Sequence, residues 1–322
     1  MALEDSADQI DHAFTRPDLK GRSYENVFAG AVSFLRRRYT KDLRGAQIAV
    51  TGIPFDQAVT HRPGTRFGPR AIREASLLQT ADRPFGWDID LMEEVAIADY
   101  GDMAFDYAAP GDLPDRIARH IGGILDQGAA PVTLGGDHSI TLGCLRAISA
   151  RHGPLAVIQF DAHCDLWGEG TPGRVDHGDF MLRAIREGLV LPEASAQVGI
   201  RTEVPDAMGL SIIDAREVHR LGPEAVARQL RARVGARPCY VTFDIDALDP
   251  AHAPGTGTPV WGGLTSHQAA VMLRALAGVD LKGGDVVEVS PPYDHGGMTA
   301  IAGAHVAVEL MCLWAFAHRQ AG

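Results

Sequence analysis

Short apolar runs recur along this chain, and each is broken by glycine, proline or aspartate before a stretch with helical spacing. Residues 47–53, 95–99, 131–134, 155–160, 197–200, 211–213, 239–244 and 285–289 read as strands. Between them, 70–78, 112–127, 140–151, 177–187, 223–234 and 265–277 carry helical patterns, and 299–317 is a final helix apolar enough to be buried. A strand that crosses over through a helix to the next strand builds a parallel pair. End-to-end alternation therefore predicts an α/β fold, with a mostly parallel central sheet between two layers of helices. No repeat, low-complexity tract or linker divides the 322 residues, so one domain over 1–322 is expected. Residues 1–44 are polar and irregular and read as an N-terminal extension packing on that domain, with a helical hint over 29–38.

In such a sheet the ligand crevice lies outside the carboxyl ends of the strands. Four strands here end in chemistry: Gly135-Gly136-Asp137-His138-Ser139, Phe160-Asp161-Ala162-His163-Cys164-Asp165, Phe243-Asp244-Ile245-Asp246, and Glu288. Alternate side chains of extended backbone point the same way, which would put Asp161, His163 and Asp165 on one side and Asp244 with Asp246 on another. Four carboxylates and two imidazoles in one place repel each other unless cations compensate them. Oxygen donors with some imidazole suit a divalent ion of the manganese kind, with nickel and cobalt left open. The donors exceed the needs of one ion, and two ions sharing carboxylates would activate water for attack on an electrophilic carbon. Any one of these motifs alone reads as a turn or cap; the combination does not.

Neighbouring groups have two readings each. Asp137 and Asp249 either orient His138 and the 244–246 turn or cap their own loops. Glu288 either pairs with a planar cation or is a satisfied strand residue. His177, after the loop 166–177, is either a proton carrier or an ordinary polar loop residue. Cys164 falls on the other side of the alternation and reads as packing.

The formal net charge of -11 argues against nucleic acid or an anionic membrane as partner, and a cationic substrate is compatible with it. Cys144, Cys164, Cys239 and Cys312 form no CxxC pair and read as reduced thiols. The start, with Glu4, Asp5 and Asp8, lacks the features of a signal peptide, and no apolar run is read as a membrane span, so the cytoplasm is expected. Arg36-Arg37-Arg38 reads as a solvated helix end rather than a phosphate site.

Together, Gly-Gly-Asp-His-Ser at 135–139, Phe-Asp-Ala-His-Cys-Asp at 160–165, Thr-Phe-Asp-Ile-Asp-Ala-Leu-Asp-Pro at 242–250 and Val-Val-Glu-Val-Ser-Pro-Pro-Tyr-Asp at 286–294 resemble the ureohydrolase family of arginases and agmatinases, from about residue 48 onward. The resemblance implies the arginase-type three-layer α/β/α fold and two manganese ions per chain. His138, Asp161, Asp165 and Asp244 match the ligands of one ion. Asp161, His163, Asp244 and Asp246 match those of the other. It also implies Glu288 as the guanidinium-binding carboxylate, His177 as the proton shuttle, Asp165 as the group steadying the attacking water, and a homo-oligomer, trimer or hexamer. The implied reaction cleaves a guanidino compound to urea and an amine.

Pro-Gly-Thr-Arg-Phe-Gly-Pro-Arg-Ala-Ile-Arg at 63–73, Phe85-Gly86-Trp87-Asp88, Gly199-Ile200-Arg201-Thr202 and Pro-Gly-Thr-Gly-Thr-Pro-Val at 254–260 are similar to the agmatinase branch, which implies agmatine as substrate. The chain departs from that branch in reading His177-Gly178-Asp179 where the pattern has His-Gly-Thr. Arg174 facing the pocket would favour a guanidino acid such as 4-guanidinobutyrate; Glu169 or Asp179 facing it would favour agmatine. Trp261 either shapes the same pocket or lies on the surface. Two rivals remain: a deacetylase with a single zinc on the related fold, and a non-catalytic protein keeping the metal site for folding.

Overall fold

The computed structural model describes residues 12–22, 25–80, 83–108, 110–168 and 174–319. Nine strands form one sheet: β1 (Arg38–Tyr39), β2 (Ile48–Ile53), β3 (Ile97–Asp102), β4 (Ala130–Gly135), β5 (Ala156–Phe160), β6 (Ala196–Ile200), β7 (Ser211–Asp214), β8 (Pro238–Asp244) and β9 (Asp280–Val287). Their spatial order is β1-β3-β2-β4-β9-β8-β5-β6-β7, and all neighbouring pairs are parallel. The helices are α1 (His12–Thr15), α2 (Gly68–Ser76), α3 (Leu91–Glu94), α4 (Leu113–Asp126), α5 (Ile140–His152), α6 (Phe180–Arg186), α7 (Ala215–Leu221), α8 (Pro223–Val234), α9 (Ser266–Ala275) and α10 (Met298–Arg319).

Strand alternation sorts side chains between two cores. Ile48 and Val50 enter one core and Ala49 the other; Val241 and Phe243 enter the first and Tyr240 the second. The first core is roofed by Ile72 of α2, Leu230 of α8, Met272 of α9 and Leu310 of α10. The second is roofed by Ile121 of α4, Leu145 of α5 and Met181 of α6. The expected three layers follow. Proline opens α2, α4 and α8, where its missing N–H costs nothing. A reciprocal capping box between Thr265 and Gln268 starts α9.

Four expectations need correction. The helical hint over 29–38 gives only a short 3-10 turn at Phe34–Arg36 followed by β1, because Leu35 and Arg36 both sit at φ 50, outside helical space. The arginine run is not a solvated helix end. Arg36 and Arg37 are each 1% exposed and donate to backbone carbonyls, Arg36 to Ala31 and Asn26, Arg37 to Leu35 and Gly21. The last sheet strand begins at Asp280 rather than 285. Gly283 and Gly284 hide it from the apolar pattern, and a Cβ on Gly284 would come within 2.7 Å of the Val241 carbonyl. By length and composition α10 does reach membrane-spanning size, but 67% of its most apolar window is buried in the first core. Helix α7 went unanticipated, although Asp214 caps it by accepting a hydrogen bond from the Glu217 N–H.

Candidate active site

The four central strands, β4, β9, β8 and β5, are side by side, and the chain leaving each carries the candidate residues. His138 follows β4, Glu288 follows β9, Asp244 ends β8 and Asp161 follows β5. His138 Nδ1 lies 2.9 Å from Asp165 Oδ2, 3.1 Å from Asp161 Oδ2 and 3.2 Å from Asp244 Oδ2. His163 Nδ1 lies 3.0 Å from Asp246 Oδ2 and 3.5 Å from Asp161 Oδ1. Asp161 thus turns one oxygen to each imidazole. Two donor groups emerge that share it: His138, Asp161 and Asp244, and Asp161, His163 and Asp246.

All six candidate ligands meet, but not by strand alternation. β5 stops at Phe160, and Asp165 sits at φ 50, a positive value unusual for a residue with a side chain. The segment coils instead, with the His163 N–H donating to Asp161 Oδ1. Asp246 lies in a 3-10 turn whose N–H donates to Asp244 Oδ1 at 2.8 Å, and its own Oδ1 accepts from the Ala162 N–H. The two glycines before His138 are steric necessities: a Cβ on Gly136 would lie 1.8 Å from the Phe55 carbonyl oxygen.

The electrostatics ask for cations. Burial would lower the His138 pKa, yet the carboxylates of Asp161, Asp165 and Asp244 hold it well above its usual value. His163 is held up to about 12 against burial, by Asp246 and Asp161. Burial would raise the pKa of Asp161, but His138 and His163 keep it below the usual carboxylate range. Burial, with the charge of Asp161, pushes Asp165 up to about 7. Burial and the charges of Asp246 and Asp161 push Asp244 well above the usual range. His138 Nδ1 is buried, ringed by three carboxylate oxygens and hydrogen-bonded to none. Oxygen-rich donors with one imidazole per group fit divalent cations, and the shared Asp161 fits two of them.

Beside this cage Glu288 is buried at φ 63, its N–H donating to the Gly136 carbonyl. Its Oε1 accepts from the His138 N–H at 3.0 Å and contacts His177 Nδ1 at 2.9 Å, while Oε2 is buried without a partner. His177 is therefore a site residue, with Thr60 Oγ1 3.1 Å from its Nε2. Burial alone would lower its pKa, but Glu288 and nearby carboxylates raise it to about 9.

Several groups escaped sequence reasoning. Gln159 Nε2 donates to Asp161 Oδ2 and to the His163 carbonyl, and its Oε1 accepts from Gln197 on the neighbouring strand. On the opposite side of His138, Nε2 meets Thr242 Oγ1 at 2.9 Å. Thr242 donates to Asp285, which also accepts from Tyr240 and Thr141. The available signal was polar residues inside otherwise apolar strands. Phe180 stacks on the His138 ring with centroids 4.3 Å apart.

Asp137 and Asp249 brace backbone N–H groups, both of their own turns and of other loops. Asp137 accepts from the Ser139 and Ala58 N–H groups, and Asp249 from Ala251, Gly262 and Gly263. Cys164 is buried packing. A cavity of about 300 Å³ opens on His138, His163, Asp165, His177 and Asp244, with Thr60, Trp167, Asp176, Gly178 and Thr258 completing its lining. Neither Arg174 nor Asp179 lines it, and Asp176 does. Trp261 is 88% exposed and borders a different hollow, beside Arg201. Glu169 lies outside the described residues.

A parallel α/β sheet carrying a buried Asp/His cage at its carboxyl edge defines a class, the metal-dependent α/β hydrolases. Comparison with known proteins narrows it. The sequence model of the arginase family matches residues 46–313. An agmatinase from Chromobacterium violaceum is 47% identical over 304 residues, covering 94% of each chain. The crystal structure of a hypothetical agmatinase from Burkholderia thailandensis superposes with a TM-score of 0.94 at 48% identity, covering 97% of this chain and 99% of that one. Proclavaminate amidino hydrolase from Streptomyces clavuligerus gives 0.84 at 39% identity, covering 91% and 100%. The chain belongs to the arginase family, and it is a ureohydrolase-type hydrolase.

Proposed function

We propose that this enzyme hydrolyses agmatine to putrescine and urea, using two divalent ions held by the cage, manganese before nickel or cobalt. The observation that carries the reading is Glu288. One of its oxygens is committed to His138 and His177, and the other is buried and unpaired. A guanidinium is the planar cation that such a carboxylate binds best. The 47% identity to an agmatinase supports the choice of agmatine.

His138, Asp161, Asp165 and Asp244 would hold one ion, and Asp161, His163, Asp244 and Asp246 the other. When bound, such a pair would supply a water activated near neutral pH. Glu288 pairs with the guanidinium and fixes its carbon beside the cage. Asp165 accepts a hydrogen bond from the attacking water and aims it. As the carbon–nitrogen bond to the butyl chain breaks, His177 delivers a proton to the departing amine, which its raised pKa equips it to carry near neutral pH. Thr60 and Glu288 hold the imidazole in place for that transfer. The six-donor set argues against a single-zinc deacetylase. Four buried free thiols suit the cytoplasm, and we expect a homo-oligomer, trimer or hexamer.

Urea release is the test, with agmatine, arginine and 4-guanidinobutyrate offered to the manganese-loaded enzyme. Agmatine should lead. No urea from any of the three ends the proposal, and 4-guanidinobutyrate in first place replaces the substrate. Two metal ions per chain by elemental analysis would reject the deacetylase. In Glu288→Gln, lost turnover with the metal ions still bound would reject the non-catalytic reading. Native mass checks the oligomer.

A further inference from the structure

Resting on the agmatinase reading, we propose that Asp176 receives the cationic far end of the substrate and so selects agmatine against guanidino acids. Among the described residues three carboxylates line the cavity: Asp165, Asp244 and Asp176. The first two are turned to His138 Nδ1, at 2.9 and 3.2 Å. Asp176 is the one outside the cage. It directly precedes His177, whose Nδ1 contacts Glu288 Oε1 at 2.9 Å. Behind the lining residue His177 thus stands the Glu288 carboxylate for a guanidinium, and one residue before that histidine the cavity wall carries a carboxylate free of metal duty. Agmatine carries a guanidinium and an ammonium joined by an apolar linker, and that polarity matches.

Local structure holds Asp176 in this role. Its Oδ1 accepts from the Gly178 N–H at 3.0 Å, closing a tight turn. Trp167 supplies an aromatic wall, its ring 5.9 Å from that of His163. Glycine at 178 lets wall and carboxylate approach: a Cβ there would lie 3.3 Å from Trp167 and 3.6 Å from Asp176 Oδ1. Methylenes can pack on the indole while the ammonium reaches the carboxylate.

Arg174 pairs with Asp176 Oδ2 at 2.9 Å, but its side chain is 67% exposed and lines no part of the cavity. Exposed pairs of this kind hold weakly, so a substrate ammonium can share or displace it. A guanidino acid would bring its own carboxylate against Asp176 and be repelled.

The test compares agmatine with pentylguanidine, in which a methyl group replaces the ammonium. Asp176→Asn removes the charge but keeps an oxygen for the Gly178 N–H. The wild-type enzyme should favour agmatine by roughly 10- to 100-fold in kcat/KM. In Asp176→Asn the ratio should collapse toward one through a raised KM for agmatine at little-changed kcat, and Asp176→Glu should restore most of the preference. Equal losses on both compounds, or an unchanged agmatine KM in Asp176→Asn, overturn the assignment. Wild-type turnover of agmatine with the preference intact in the variant removes only the role of Asp176. Absence of urea from both compounds with wild-type enzyme removes the agmatinase reading, and this inference with it.

Discussion

Asp99 on β3 and Asp244 on β8 are buried carboxylates on the same parallel sheet, and their surroundings differ in one respect. Asp99 is complete. Arg73 donates to both of its oxygens, at 2.8 and 3.1 Å, and the N–H groups of Phe34 and Gly101 add two more bonds. Burial would lower the Arg73 pKa, yet Asp99 and Asp102 raise it, so the guanidinium stays charged. Asp244 meets Asp161, Asp246 and the His138 imidazole, and among the described residues no arginine or lysine joins the ion pairs of the cage. Its charge is disfavoured in the folded protein. The first arrangement needs nothing from outside, and the second, whose counter-charges among the described ion pairs are imidazoles alone, is suited to bound cations. Buried charge by itself does not mark a functional site; buried charge lacking a protein counter-ion does.

The largest effect should come from Asp244→Asn. Urea release should fall by about 10³-fold or more, because cation binding supplies several kcal/mol of charge stabilisation. Metal content should fall with it. Without metal, this variant should unfold no more easily than wild type in calorimetry, since it removes a charge that folding disfavours. A clear loss of metal-free stability would break the contrast with Asp99. Arg73→Met should behave oppositely. Stranding Asp99 should cost about 3–5 kcal/mol of stability in denaturant titration, while turnover per bound metal stays close to wild type.

His177 stands between these extremes, paired with one carboxylate. Its folded pKa of about 9 lies above the usual 6.5, so the protonated form favours the fold. That stabilisation is complete below about pH 6.5 and is lost as pH rises through about 9, amounting to roughly 3 kcal/mol. Denaturant unfolding of the metal-free protein across that range should reveal the slope, and Glu288→Gln should flatten most of it. The smallest effect belongs to Asp285→Asn. Loosening the Thr242 contact to His138 should weaken metal affinity by roughly 10- to 100-fold, measured by competition with a chelator.

Much of this architecture is legible in the amino-acid sequence. Residues 131–134, 155–160 and 239–244 declare three of the four central strands through their apolar runs, and GGDHS, FDAHCD and FDID declare six metal-ligand candidates. The reason is local: strand periodicity and the chemistry of neighbouring acids are written in a few consecutive residues. The geometry inferred from them is nonetheless wrong in kind, because Asp165 at φ 50 and the turn at Ile245–Ala247 bring the ligands in by coiling. Arg36 and Arg37 mislead for the opposite reason. Three consecutive arginines resemble surface, and it is the carbonyls of Asn26, Ala29, Ala31, Leu35 and Gly21, with the Glu25 carboxylate beside Arg36, that make the burial of Arg36 and Arg37 tolerable.

The sequence by itself determined a parallel α/β sheet and the candidates for its cation-binding groups, since both follow from residue type and short spacing. Tertiary structure alone decided that Gln159 and Gln197 brace Asp161, that Asp285 reaches His138 through Thr242, and that Asp176 rather than Arg174 or Asp179 lines the cavity. Those relations join strands and loops that are distant in sequence. A polar side chain's role there depends on which partner the packed sheet sets within about 3 Å of it.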